Sequence, residues 1–134
     1  MGITRFSGPV YGALGILATA HTTSIATSAS AAEFYEVTVP ASEDWYVTSA
    51  QAYCTNQGNA ATVDVQDDGA SIFGAAMTLV TNGPSTGGTI TNDQTEEGKK
   101  IAASSAVTFK GTNGITTAAA NVTVVLYGWR RRVD

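Results

Sequence analysis

From Glu33 onward, apolar and polar residues alternate with a period of two, and no long window repeats at helical spacing. Glu33 to Pro40 (EFYEVTVP) sets Phe34, Glu36 and Thr38 on one face and Tyr35, Val37 and Val39 on the other. Trp45 to Cys54 sets Trp45, Val47, Ser49, Gln51 and Tyr53 against Tyr46, Thr48, Ala50, Ala52 and Cys54. Short strands are predicted over Ala61 to Val65, Ser71 to Phe73, Met77 to Val80 and Thr89 to Thr91. Ile101 to Ala103 leads to Val107 to Lys110, with Val107 and Phe109 on one face. The longest, Asn121 to Trp129, places Val122, Val124, Leu126 and Gly128 opposite Thr123, Val125, Tyr127 and Trp129. Both its faces are apolar enough to be covered, which predicts a central strand.

Turn signals separate these runs: Asn56 to Asn59, Asp67-Asp68-Gly69, Asn82 to Gly88 (NGPSTGG), and Thr112 to Gly114. Asp93 to Lys100 (DQTEEGKK) is the most charged stretch and is predicted as a solvated loop. About eight strands with turns roughly every 8–12 residues predict an all-β fold, a small antiparallel β-sandwich of jelly-roll-like form.

The first 32 residues break this pattern. They carry one charged side chain, Arg5, and every acidic residue follows them. The division predicted is an extended N-terminal interaction arm, 1–32, and a β-sandwich body, 33–134. Two rival readings of the arm stand beside it. Arg5, Val10 to Ala20 and Ala29-Ser30-Ala31 resemble the parts of a signal peptide, yet Gly12 and Gly15 interrupt the apolar stretch and a polar HTTSIATS run follows it. A spanning helix needs about 20 apolar residues, and Val10 to Ala20 is about half that. Gly, Pro, Thr and Ser suit an extended backbone, and we expect the arm to be retained.

The chain has 134 residues, of which 13% are charged, with a net charge of −4. Nucleic acid is an unfavourable partner for such a chain, and no membrane is expected. Cys54 is the single cysteine, so no intrachain disulfide forms. Cys54 and the single histidine, His21, lie in no nucleophile motif. No phosphate loop GxxxxGK[ST] occurs. No enzyme activity and no cofactor are expected. Asp64, Asp67 and Asp68 form the densest carboxylate group, without EF-hand spacing; they read as a strand residue and a turn, with a weak cation site as the alternative. Trp45 with Tyr53, and Tyr127 with Trp129, offer a sugar-binding face on strict alternation, which keeps a secreted carbohydrate-binding module as the alternative function. Arg130, Arg131 and Arg132 read either as a solvated tail or as forked donors to a partner's carboxylates.

The opening TRFSGPVYGA (Arg5, Phe6, Gly8, Pro9, Val10, Tyr11 and Gly12), with Val37-Thr38-Val39-Pro40, Asp68-Gly69 and the terminal VTVVLYGW, resembles the capsid decoration (cement) proteins of tailed bacteriophages. The resemblance implies a structural protein on the outer surface of the virion, a homotrimer at threefold positions of an icosahedral shell, with the major capsid protein as partner. It departs from that pattern in the more apolar stretch around Leu14 to Leu17. The residues expected to bind the partner are Arg5, Phe6, Pro9, Val10, Tyr11, Leu14, Ile16 and Leu17, with Arg130, Arg131 and Arg132.

Overall fold

The computed structural model describes residues 15–87, 98–113 and 117–133. Ten strands follow in order: β1 (Gly15–Ile25), β2 (Ser28–Thr38), β3 (Glu43–Tyr53), β4 (Thr62–Asp67), β5 (Ala70–Ser71), β6 (Met77–Thr78), β7 (Pro84–Thr86), β8 (Lys99–Ile101), β9 (Ala106–Asn113) and β10 (Ala119–Arg132). They form two five-stranded sheets, and every ladder between strands is antiparallel. Sheet A runs β1-β10-β3-β7, with β8 also on β3; sheet B runs β2-β9-β4-β5, with β6 also on β4. Consecutive strands from β1 to β4 alternate between sheets, and β9 and β10 return through the middle of each. This is the strand order of a jelly roll. Among the described residues there is no helix.

The two sheets close over one core. Sheet A contributes Leu17, Ala20, Val47, Ala50, Val122, Val124 and Leu126; sheet B contributes Val63, Val65, Val107 and Phe109. Phe109 is the largest fully buried side chain. Phe34 and Val37 pack against this core from β2. As the pattern predicts, β10 is central, with β1 and β3 on either side. Val122, Val124, Leu126 and Gly128 are buried, while Thr123, Val125, Tyr127 and Trp129 are half-buried.

The predicted arm boundary does not hold from Gly15 onward. Residues 15–25 pair with β10 and place Leu17, Ala20 and Ile25 in the core, and β2 begins at Ser28. These residues carry little charge because one side of β1 fills the sandwich. Residues 1–14 lie outside the described residues, as does the strand predicted at Thr89 to Thr91. Pro84–Thr86, expected within a loop, pairs with β3, and Lys99 and Lys100 form part of β8 rather than a solvated loop.

Strict alternation fails at bulges. Leu17 is skipped between the pairs Ile16↔Tyr127 and Ala18↔Leu126. Phe34 is skipped between Glu33↔Lys110 and Tyr35↔Phe109. Thr48 is skipped between Ser49↔Tyr127 and Val47↔Gly128, and its hydroxyl donates to the Tyr127 carbonyl at 3.3 Å. Each extra residue reverses the facing of what lies beyond it. Trp45 and Val47 therefore join Ala50, Ala52 and Cys54 in the core, instead of opposing them.

The bulge in β1 makes a sharp test, because neighbours of similar size have opposite fates: Ile16 is 53% exposed and Leu17 is 5% exposed. Leu17→Ala is expected to lower unfolding free energy by about 2–4 kcal/mol. Ile16→Ser should change it by no more than about 0.5 kcal/mol. Urea unfolding of both variants reads the difference; equal losses would contradict the assigned register.

Candidate functional site

The two outer faces of the sandwich differ in chemistry. On sheet B the outward residues are polar or charged: Thr62, Asp64 and Gln66 on β4, Thr108, Lys110 and Thr112 on β9, Glu33 and Glu36 on β2. On sheet A the ladder registers give three cross-strand rows. They are Ile16–Tyr127–Ser49, Thr19–Val125–Gln51–Thr86 and His21–Thr123–Tyr53–Pro84. None of these three rows holds an Asp, Glu, Lys or Arg; beyond the bulge at Thr48 the same face continues as Trp129–Tyr46–Lys100 and Arg131–Asp44, which carry charge. Ile16 and Tyr53 are exposed, and Val125 and Tyr127 are half-buried. A shallow open depression of about 360 Å³ lies beside Tyr127, lined also by Ser49, Gln51 and Thr86. His21 takes part in this face through a 3.0 Å hydrogen bond between Nδ1 and the Thr123 hydroxyl.

The C-terminal arginines border the face but are engaged within the molecule. The Arg130 guanidinium donates from Nη2 to the carbonyls of Ile16 at 3.1 Å and Leu17 at 3.3 Å. Its Nε lies 3.2 Å from Glu43 Oε1, and its Cζ sits 6.0 Å from the centre of the Trp45 ring. Glu43 Oε1 also accepts from Trp45 Nε1 at 2.9 Å. This cluster fixes the start of β1 against β10 and β3, and so fixes where the preceding segment joins the body. Arg131 donates from Nη1 to the Tyr46 hydroxyl at 2.8 Å and lies 5.9 Å from that ring's centre. Arg132 is exposed at the end of β10.

Of the residues expected to bind a partner, Arg5, Phe6, Pro9, Val10, Tyr11 and Leu14 lie outside the described residues. Ile16 is exposed on sheet A's outer face. Leu17 is a core residue of this chain and is not available to a partner, because the bulge turns it inward. The sugar-binding face drawn from alternation is corrected in part. Trp45 is 3% exposed and faces the core, while Tyr53 is 46% exposed on the outer face. Tyr127 and Trp129 do share a face. Sequence alone missed Gln51, Ser49 and Thr86 as neighbours of Tyr127, since only the ladder register brings them together.

Cys54 is buried, and burial pushes its thiol pKa up while a hydrogen bond from the Asn56 backbone opposes this. It is held as an inert core thiol. Asp64 uses both oxygens locally, accepting from Ser71 Oγ at 2.7 Å and Gln66 Nε2 at 2.8 Å. Among the described residues no group of three or more His, Cys, Asp or Glu is arranged to hold a metal ion. Asp68 and Gly69 form a two-residue hairpin loop with φ of 49° and 85°. Positive φ at both positions is what a type I′ turn requires. Comparison with protein families, with curated proteins and with solved structures returns no match.

Asp67, at the start of that hairpin, has its pKa raised above the ordinary carboxylate value. Desolvation by partial burial is the main cause, Lys99 opposes it, and Asp68 adds to it. The folded state therefore binds this proton more readily than the unfolded chain, and stability falls as pH rises through the folded pKa. Asp67→Asn is expected to raise the urea midpoint at pH 7, with the gain shrinking toward zero near pH 3. A midpoint gain that is constant across that range would assign the effect to something other than ionisation.

Proposed function

We propose that this chain is a non-enzymatic structural protein that binds the outside of an icosahedral phage capsid and stabilises it, as a trimer at threefold positions. The observation that carries this reading is the distribution of charge. A segment with Arg5 as its sole charge leads into the edge of a sheet on which three adjoining outer rows hold no charged side chain. The opposite face is polar and carries carboxylates, as suits a surface turned to solvent. A rigid jelly roll without a catalytic constellation among its described residues supports a mechanical role. So does the resemblance of the opening TRFSGPVYGA to capsid decoration proteins.

In this reading the arm is residues 1–14, since residues from Gly15 belong to the body. Ordering such a segment costs about 1–2 kcal/mol per residue in backbone entropy. Burial of Phe6, Val10, Tyr11 and Leu14 and pairing of the backbone on the shell offset that cost. Three arms per trimer engaging one shell add avidity.

Deleting residues 2–14 leaves β1 and its ladder intact. The deletion is expected to weaken binding to undecorated capsids by at least tenfold, and to abolish the rise in shell disruption temperature on decoration. Capsid co-sedimentation and a thermal shell-opening assay read the two effects. Unchanged binding and protection would overturn the proposal.

A further inference from the structure

We propose that Asn82-Gly83 is a self-modification site, where the Asn82 side chain cyclises onto the Gly83 amide and reopens as a carboxylate at the border of sheet A's outer face. The sequence holds two asparagines followed by glycine, Asn82 and Asn113. Glycine in the next position matters because the attacking group is its backbone nitrogen, and no side chain there obstructs the approach. The fold gives the two pairs opposite surroundings. Asn113 is 6% exposed; its Nδ2 donates to the Ile25 and Thr117 carbonyls, and its Oδ1 accepts from the Asn59 amide. A buried amide held in this way cannot swing toward the next peptide without giving up all three bonds.

Asn82 is different. It is exposed, in the connection between β6 and β7. Val80 to Gly83 form a turn in which the Gly83 N–H donates to the Val80 carbonyl at 3.2 Å and Asn82 has a φ of 54°. A positive φ at the third residue of a turn suits glycine or asparagine. The backbone just ahead of the reacting peptide is pinned. The Thr81 amide donates to Gln57 Oε1 at 3.0 Å, and the Asn82 amide donates to the Cys54 carbonyl at 2.9 Å. The side chain is not pinned. Its Oδ1 accepts one long bond, 3.4 Å, from the Tyr53 hydroxyl, and its Nδ2 makes no hydrogen bond among the described residues. Ring closure therefore has to open only the Gly83–Val80 bond and the long Tyr53 bond. Local openings in exposed loops need little free energy.

The step balances with solvent alone. Hydroxide takes the Gly83 amide proton, and the nitrogen's electron pair forms a bond to Asn82 Cγ. The Cγ–Nδ2 bond breaks, and Nδ2 takes up a proton from water and leaves as ammonia. One water then adds to either carbonyl of the cyclic imide. Opening on one side gives aspartate. Opening on the other gives isoaspartate, in which the main chain runs through Cγ. Nothing is oxidised or reduced. Either product sets a negative charge beside Tyr53, in the row His21–Thr123–Tyr53–Pro84, which holds none. The isoaspartyl form also lengthens the backbone by one atom just ahead of Pro84, whose pairing with Tyr53 begins β7. The effect on shell binding, where an uncharged surface gains charge, rests on the proposed function; the conversion itself does not.

The test uses the full native chain without capsids. It is incubated at mildly alkaline pH, and peptide mapping by mass spectrometry follows each asparagine. Asn82 is expected to convert about tenfold faster than Asn113 or more, because only the exposed turn opens readily. Enzymatic methylation of isoaspartate should label position 82. In concentrated urea the two rates should come within about threefold, since both asparagines then precede glycine in an unfolded chain. Gly83→Ala should slow conversion at position 82 by about tenfold, as its methyl group hinders the nitrogen. The closest contact of that methyl is Val80 Cγ1 at 3.2 Å, which a small shift of one side chain relieves. Asn82→Gln, which would have to close a larger ring, should stay unconverted. Asn113 converting as fast as Asn82 in the native chain overturns the proposal. So does an Asn82 that is stable in the native chain yet converts in urea, or a rate at position 82 that Gly83→Ala leaves unchanged.

Discussion

One extra residue in a strand turns all that follows to the opposite face, and three such insertions govern this sandwich. The bulges at Leu17, Phe34 and Thr48 fall in β1, β2 and β3. Without the one at Thr48, Trp45 and Val47 would face solvent while Ala50 and Ala52 faced the core. With it, a large ring fills one end of sheet A's inner surface and small alanines line the other. The bulge at Leu17 does the same for β1, bringing a leucine inward beside Gly128, whose missing Cβ leaves the room for it. The outer face of sheet A is the remainder of this sorting: three uncharged rows on one side of the bulge at Thr48, and the charged Trp129–Tyr46–Lys100 and Arg131–Asp44 on the other.

Polar groups inside the sandwich fasten what the apolar core cannot. Asn113 is 6% exposed, and its Nδ2 donates to the carbonyls of Ile25 at 3.1 Å and Thr117 at 2.7 Å. Its Oδ1 accepts from the Asn59 amide at 3.0 Å. One side chain thus ties the end of β1, the approach to β10 and the turn before β4. A buried amide so fully paired costs little, while the same group without partners would be costly. At the opposite end of β1, Arg130 holds the Ile16 and Leu17 carbonyls. The edge strand is thus anchored at both ends.

Period-two reading of the sequence recovers the sheet class, the central place of β10 and the turn at Asp67-Asp68-Gly69, because those depend on local pattern. It fails where geometry is non-local. β1 escaped notice because Leu17 and Ala18, consecutive and both inward, do not alternate, and because Thr and Ser on its other side resemble a linker. Strict alternation sets Trp45 on the face of Tyr53 because Thr48 looks like any other strand residue. The cross-strand company of Tyr127 depends on register, which no single strand encodes. Arg130 reads as a tail charge until β1 is seen to begin next to it.

The pairing of β1 with β10 joins residues 15–25 to residues 119–128. During synthesis, therefore, the first of these strands leaves the ribosome with no partner for its ladder, and waits until nearly 100 further residues have been made. Sheet A cannot close around its middle strand before then, whereas β4 and β9 of sheet B can meet earlier. Contacts so distant along the chain are slow to form. The nascent polypeptide therefore carries β1 without its ladder partner while those residues are made, a stretch in which a holding chaperone would have most to bind.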